Sequence, residues 1–584
     1  MRITNAAPAA ERKKWTVLYY FDGKNNLSPM AKHSFNSIDK VGSDDNVNLV
    51  AQVGLMKQDV LRGLVKQGEG TDKYENLGNI DMGSHKSVQE FLEWGIKNYP
   101  AERYAVVLWN HGAGFKGVLT DDEHNSIVTN KQLAEALENA QKNTGARINV
   151  VNFNACLMNQ AEVGYELRNS ADFMVGSEEV EAGLRIPIPG LFGTTPQHKV
   201  AEDIKAANGD LTGEDVAKLF VYEADKQFGK SLFTPTQSAI ALAKMGPVRD
   251  AAETLAGALL GEIQKDPSLI DVLRKDIKSA QNYAKIDAHI EPYCDYRDLG
   301  DFSKIVARDE RFTNPAVKEA AQALQSALAE AIVAETHATV SGMVGSSMAG
   351  STGMSAYIPV DYGFDRQGTS PVDGVPVGGT HGYEKTSFGA NSNWEQMLKT
   401  IAKDDDLMGR YPKLSRKMMS FGQIARFYGY EFALDAATGA TAVSGWNWWP
   451  LMGFPYMLPI PGVLAAGAGA VGAAMRTKSG IEKLSQSITR TDFKQSTRVE
   501  LAVDGAIDTA IGLGTAVTTA ALLTGTMNPA LQVVAQGTLA LALGRTATKL
   551  GMAGYRVYQE QNKSVEQKLI DANSERYQPA LKTD

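Results

Sequence analysis

Five short apolar runs, spaced through the first third of the chain, constrain its fold more than any other feature. They read "WTVLYYF" (15–21), "VNLVAQV" (47–53), "YAVVLWN" (104–110), "INVVNFN" (148–154) and "DFMVGS" (172–177). A strand with one wet face alternates apolar and polar residues, whereas a strand covered on both faces reads as a nearly continuous apolar run. These runs are of the second kind. Between them lie segments of helical period. In "SVQEFLEWGIKNY", Val88, Phe91, Leu92, Gly95, Ile96 and Tyr99 share one stripe, and in "KQLAEALENAQ" Leu133, Ala136, Leu137 and Ala140 share another. Ser87 with Glu90, and Thr129 with Gln132, have the spacing of capping boxes at the starts of these helices. Strand alternating with helix requires right-handed crossovers. The expected fold class is therefore α/β, a three-layer sandwich with a mainly parallel sheet between helices.

Reactive groups in such sheets gather at the carboxyl ends of strands. Two strand exits here carry unusual residues: "WNHGAG" (109–114) and "NACLM" (154–158). If the two strands are neighbours, His111 and Cys156 stand side by side despite a separation of 45 residues. A cysteine nucleophile needs its thiolate, which an adjacent imidazole generates or stabilises. Gly112 and Gly114 let backbone approach a substrate, and the amides of Gly112 and Cys156 are candidate donors to an oxyanion. A buried cysteine and a strand-end histidine also occur as purely structural residues, so the pair, and not either residue alone, points to catalysis. No GxSxG, HExxH or P-loop sequence competes with it.

Composition excludes several other classes. Two cysteines in 584 residues cannot build a disulfide framework, and no CxxC or His/Cys cluster has zinc spacing. A net charge of -8 gives no reason to expect nucleic acid. The opening "MRITNAAPAAERKKW" has charge but no apolar core, so no Sec signal peptide is expected, leaving a cytoplasmic protein or one exported by another route.

The chain resembles the clostripain family of cysteine peptidases, which shares the caspase, gingipain and legumain fold group. The resemblance runs through "WTVLYYFDGKNNL", "YAVVLWNHGAG", "FNACLMNQAEVGYEL", "SEEVEAG", "YRDLGDF", "GMSAYIPV" and "YEKTSFGANSNWEQML", spanning residues 15 to about 400. It implies a caspase-like sandwich, His111 and Cys156 as catalytic dyad, a protein or peptide substrate, and hydrolysis through a thioester acyl-enzyme. Where the family usually reads "DACLM", its aspartate lining the S1 pocket, this chain has Asn154. A second acidic S1 position falls on Leu184, followed by Arg185. Losing two carboxylates removes the charge-assisted pairing that selects Arg or Lys at P1. The expected P1 residue is uncharged, small or acidic, the last requiring Arg185 to face the pocket. In the alternative, Glu178 or Glu179 replaces the missing acid. The resemblance also implies self-processing, for which 194–215 is expected as an exposed loop, and leaves calcium open; the sequence itself requires no cofactor. Acidic stretches such as "LTDDEH" (119–124) read more readily as solvated surface than as a calcium cage.

Beyond about residue 430 the texture changes. Residues 436–475 and 509–544 carry no charge and are rich in Gly and Ala, with a basic, polar connector between them. The expected organisation is a polar tail (1–14), a peptidase domain (15–400), a connector (401–435) and a hydrophobic helical module (436–584). Membrane contact through 446–475 and 509–544 is one expectation for the module, helped by Trp446, Trp448, Trp449 and Tyr456 in an interfacial pattern. Its alternative is a helical hairpin buried on the peptidase or on a partner; for the whole protein, the alternative is a membrane-binding or pore-forming effector whose peptidase-like domain controls release of the C-terminal module. Four prolines between Pro450 and Pro461 stop any helix there before about 462.

Overall fold

The first apolar run becomes the strand Lys13–Gly23 (β1), whose side chains alternate between two separate cores. Leu18 and Tyr20 enter one; Val17, Tyr19 and Phe21 enter the other. Burial on both sides is why the run is continuous, since every position from Trp15 to Gly23 is buried. The structure is a computed structural model. It describes residues 12–181, 197–228, 236–283, 296–339, 347–360, 386–402, 462–524 and 563–574, with short pieces around 368, 376, 383, 530–548 and 577.

The sheet is assembled from β1 and further strands at Val47–Leu55 (β2), Leu61–Leu64 (β3), Glu75–Asn76 (β4) and Ala101–Trp109 (β5). A hairpin of Val118–Asp121 (β6) and Ser126–Val128 (β7) stands apart from it, and the sheet resumes at Ile148–Asn154 (β8) and Phe173–Gly176 (β9). Thr236–Ala241 (β10) follows. Asn282–Tyr283 (β11) and Tyr296–Asp298 (β12) belong to a second sheet, and Ile332–His337 (β13) returns to the first. The order across the nine-stranded sheet is β13-β10-β9-β8-β5-β1-β2-β3-β4. Its centre, β9-β8-β5-β1-β2, is parallel, while the pairings at the two edges, β9-β10-β13 and β2-β3-β4, are antiparallel.

Helices cover both faces. Against the core holding Leu18 lie His85–Asn98 (through Val88, Phe91 and Leu92), Asn130–Thr144 (through Leu133 and Leu137) and Met245–Lys265 (through Val248 and Leu255). Against the core holding Val17 lie Ser28–Asp39, Gln197–Ala206 and Gly213–Phe228. Thr129 and Gln132 form the expected capping box. Ser87 does not cap: the helix begins one turn earlier, where the Ser84 hydroxyl accepts from the Lys86 amide, and Ser87 Oγ donates to the Asp81 carbonyl. The expected exposed loop at 194–215 is also corrected over its described part, because Gln197–Ala206 is a helix that buries Val200, Ala201 and Ile204.

The run "GMSAYIPV" supplies the strand Ser355–Tyr357 (β14), which pairs with β12 in a three-stranded sheet beside the main one. The rings of Tyr357 and Phe115 meet at a tilt of 45° with centres 4.8 Å apart, and Tyr383 packs on both. Beyond residue 460, helices Gly462–Thr489 and Gln495–Thr524 form an antiparallel hairpin. Its backbones approach closely: a Cβ on Gly505 would lie 2.8 Å from the Gly480 carbonyl oxygen. Helix Val565–Ala572 lies against Gly213–Phe228, with Lys568 Nζ 2.7 Å from Asp203 and 2.8 Å from Glu223.

Glu162 ties the second sheet to the first. One of its carboxyl oxygens accepts from the Tyr357 amide at 3.0 Å and from the Tyr383 hydroxyl at 2.9 Å. Burial raises its pKa to about 7, and these two donors only partly offset that. Between pH 4.5 and about 7 the unfolded chain ionises Glu162 while the folded chain keeps it protonated, so its contribution to stability is present below that window and lost through it. Glu162→Gln keeps the acceptor and cannot ionise. Urea unfolding at pH 5 and pH 8 should show the variant gaining on the wild type by on the order of 3 kcal/mol as pH rises. A difference independent of pH would refute this account.

Candidate active site

Strands β5 and β8 are parallel neighbours paired in register from Ala105 with Val150 to Trp109 with Asn154. His111 and Cys156 each stand two residues beyond that last pair. The ladder runs one step past the strands, with the Asn110 amide donating to the Asn154 carbonyl at 3.3 Å. The loops touch immediately afterwards: a Cβ on Gly112 would sit 2.3 Å from the Cys156 carbonyl oxygen and 2.9 Å from the Met158 side chain. Only glycine permits this approach. The sequence pattern that singled out the two strand exits therefore describes one place.

Each loop is held from behind. Leu157 adopts a left-handed conformation with φ of 65°, which turns the chain sharply after the cysteine. Its amide donates to the Glu179 carbonyl at 3.2 Å, and the Asn159 amide to the Ser177 carbonyl at 3.0 Å, so the exit of β9 braces the cysteine loop. Cys156 is half-buried, and its Sγ lies 3.6 Å from the Glu181 carbonyl. On the histidine side, the Leu119 amide donates to the His111 carbonyl at 3.2 Å and the Tyr296 hydroxyl to the Ala113 carbonyl at 3.0 Å. Gly114, at φ of 61°, leaves room for the Gln160 side chain, whose oxygen accepts the Phe115 amide at 2.8 Å.

A residue that sequence reasoning missed completes this edge. His111 Nε2 lies 2.7 Å from Asn26 Oδ1. An amide oxygen only accepts, so Nε2 carries the proton and the lone pair of the neutral ring falls on Nδ1. Asn26 is itself exposed, but its neighbour Asn25 is buried and donates to Asn110 Oδ1 at 2.9 Å and to the Thr120 carbonyl at 2.8 Å. Asn110 in turn donates to Asp22 and to the Thr120 carbonyl and accepts the His111 amide. Burial pushes the Asp22 carboxyl well above the usual range. This polar web fixes the β1 exit against the β5 exit and so fixes Asn26 against His111. β1 adjoins β5 and ends at the same edge, but nothing in "DGKNNL" sets Asn26 apart from Asn25.

The expected S1 residues fall as follows. Asn154, at the end of β8, is buried. Glu178 and Glu179 are buried just past β9. The Glu178 carboxyl faces Asp298 and Tyr283; burial and the Asp298 charge raise its pKa well above the usual carboxylate range. Glu179 accepts the Val180 amide at 2.7 Å. Leu184 and Arg185 lie outside the described residues, as do 446–461 of the hydrophobic stretch.

The acidic stretch 119–124 was tested as a cation site. Asp81, Asp121 and His124 bring one ligand atom each within 4.8 Å of one another. The Asp121 oxygens already meet the amides of Met82, Glu123 and His124 and the His124 ring, and Asp81 Oδ1 meets the Gly83 amide and the Ser126 hydroxyl. Calcium takes six to eight oxygens. A set with one imidazole and carboxylates engaged in loop structure does not fit it, and no chemistry here is assigned to a metal.

Comparison with known proteins places this arrangement. A model of the clostripain family matches residues 19–399, which include both strand exits. Clostripain of Hathewaya histolytica is 24% identical over 395 residues, covering 57% of this chain and 73% of its own. Among solved structures, a secreted C11 cysteine protease from Bacteroides thetaiotaomicron, in complex with an irreversible peptide inhibitor, covers 66% of this chain and 99% of its own at 19% identity and a TM-score of 0.45. An inactive zymogen C11 protease from Parabacteroides distasonis covers 60% and 93% at 18% identity and a TM-score of 0.43. The chain belongs to the clostripain family of cysteine peptidases.

Proposed function

We propose that Cys156 and His111 are the catalytic dyad of this peptidase, with Asn26 holding the imidazole. The observation that carries the reading is the paired register of β5 and β8, which brings Gly112 against Cys156 at the carboxyl edge of the sheet. His111 takes the thiol proton, and the sulfur attacks the peptide carbonyl carbon. The amides of Gly112 and Cys156 donate to the oxyanion that forms. As the C–N bond breaks, His111 protonates the leaving amine and a thioester remains on Cys156. Water, deprotonated by His111, then attacks the thioester and releases the acid with the thiol restored. Asn26 is a positioning residue: its oxygen selects the tautomer that keeps the Nδ1 lone pair available.

Specificity follows from Asn154. An amide at the floor of S1 can donate and accept but carries no charge, so it gives a cationic P1 side chain no ionic partner. Glu178 does not supply one, because its carboxyl is turned to Asp298 and Tyr283. The proposed P1 preference is for uncharged, small or acidic residues. Self-processing is proposed for bonds outside Gln197–Ala206, since a helix must unfold before a protease can bind it. A second reading, membrane contact by the C-terminal module, is favoured by where the exposed apolar side chains lie.

Labelling with a peptidyl acyloxymethyl ketone tests the dyad. Wild type should be modified at Cys156 and Cys156→Ala should not; equal labelling of both would refute the assignment. Asn26→Ala should lower kcat about 10- to 100-fold with little change in KM, and Asn26→Gln or Asn26→Asp should differ from it in the pH profile. A merely structural Asn26 would leave the profile unmoved.

A panel of fluorogenic peptides differing only at P1 tests the pocket. Turnover should be highest on an uncharged or acidic P1 residue, and Asn154→Asp should raise the Arg substrate relative to the others by 10-fold or more. The highest turnover on Arg by the wild-type enzyme would overturn the specificity reading while leaving the dyad intact.

A further inference from the structure

The C-terminal hairpin has inverted polarity. Among the described residues, ten large apolar side chains are exposed, and nine of them lie between Ile481 and Leu541; the peptidase unit, residues 12–402, has none. On helix Gln495–Thr524, Val499, Val503, Leu513 and Val517 recur at helical spacing on one outward stripe, from 44% to 56% exposed, with exposed Ala506 and Ala510 between them. Val533, Val534 and Leu541 extend the apolar surface on the helical stretch that follows.

Charges occupy the inside. Arg476, Lys483 and Asp508 are at most 2% exposed. Arg476 pairs with Asp508 at 2.8 Å, and Lys483 with Asp504 at 2.6 Å and Asp508 at 2.5 Å. Arg545, from the third stretch, pairs with Asp504 at 3.0 Å and Asp508 at 3.2 Å. Buried Thr515, Thr518 and Thr538 close their hydroxyls onto carbonyls of their own helices.

A helical bundle in water does the reverse, hiding its valines and leucines and wetting its ions. In hydrocarbon both placements become favourable: apolar side chains meet lipid tails, and charges are tolerated only when paired inside the bundle. Helix backbones meeting at glycine, as Gly505 meets Gly480, suit the same medium. Length agrees. Helix Gln495–Ala521 is long and apolar enough to cross a bilayer, and at about 1.5 Å per residue its span of roughly 40 Å exceeds the ~30 Å hydrocarbon core.

We propose that this outer face docks in a lipid bilayer as a preformed bundle with its ion pairs sealed inside. The inference deepens the membrane reading and stands apart from the dyad. A second copy of the chain is the other occupant that the test below distinguishes. Lys478 and Glu482 interrupt the surface on the first helix, so the lipid-facing stripe is assigned to the second helix and the stretch after it. The turn between the first two helices belongs to the aqueous side. Arg490 there pairs with Asp301 of the peptidase unit, and Asp492 with Arg308 at 3.3 Å. The peptidase unit therefore sits at one end of the bundle, at the bilayer surface.

Flotation of the full chain with vesicles of equimolar phosphatidylcholine and phosphatidylglycerol tests this, at about 0.15 and about 1 M salt to remove surface electrostatics. Wild type should float at both salts. The triple variant Val503→Glu, Leu513→Glu, Val517→Glu should lose at least 10-fold of the floated fraction, and Ile570→Glu, on the helix docked to the peptidase, should float as wild type does. Active-site labelling of each variant reports separately that the peptidase unit is folded. A wild-type chain that stays in the dense fraction, flotation indifferent to the triple substitution, or a dimer that the triple substitution dissociates would overturn the proposal.

Discussion

The pairing of β5 with β8 decides where everything reactive in this peptidase can be. A parallel ladder brings strand ends with the same polarity to one edge, and its register fixes how far each loop travels before it meets the other. Because Trp109 faces Asn154, two residues of travel on each side deliver a histidine and a cysteine to the same level. A slip of β5 by one residue would turn it inside out, moving Val106 and Val107 into each other's cores. Register is therefore enforced by burial on both faces, and the active-site edge inherits its accuracy from two apolar cores rather than from contacts made at the edge itself.

What the cores cannot do is orient an imidazole on a loop, and here the protein uses buried amides. Asp22, Asn25, Asn110 and Thr120 join the exits of β1 and β5 through hydrogen bonds that leave little freedom to either loop. Such a web is costly to bury unless its groups are paired, and when paired it holds one geometry. The other side of the edge follows the same logic: the carbonyl of Glu179 braces Leu157, while the Glu178 carboxyl next to it meets Asp298 at the cap of helix Leu299–Arg308. A rigid outer shell on both sides suits a site whose chemistry depends on where a sulfur, a ring nitrogen and two amides lie.

Legibility in the sequence tracks how local each determinant is. Runs buried on both faces announce strands because every residue reports the same environment, and the stripes at Val88–Ile96 and Leu133–Ala140 announce helices for the same reason. That the exits carrying His111 and Cys156 adjoin was readable from the two strand ends. Asn26 was not, since nothing in "KNNL" distinguishes the asparagine that meets a histidine 85 residues later from the one that ties down a loop. Ser87 misled because capping-box spacing also arises inside a helix, where here its hydroxyl reaches back to Asp81. The antiparallel edges were invisible for a further reason: β3 and β4 are short and partly exposed, so neither carries a core signature.

The two halves of the chain solve burial in opposite ways, and this is why composition alone blurs them. Both are rich in apolar residues, but the peptidase unit hides them and the hairpin hides its charges. Joining two such bodies demands a contact that belongs to neither scheme. Arg490 provides it, inserting a guanidinium between Asp301 and Asp492 and over the ring of Phe493, 4.2 Å from its centre. Taking these groups out of water is expensive, and a fork of donors facing two carboxylates is the geometry that compensates. Asp301 also accepts the Gln281 amide and donates its own amide to the Asp298 carboxylate, so the docked turn rests on the cap that Glu178 touches. The hairpin's attachment point thus rests on the Asp298 carboxylate that also meets Glu178 just past the exit of β9.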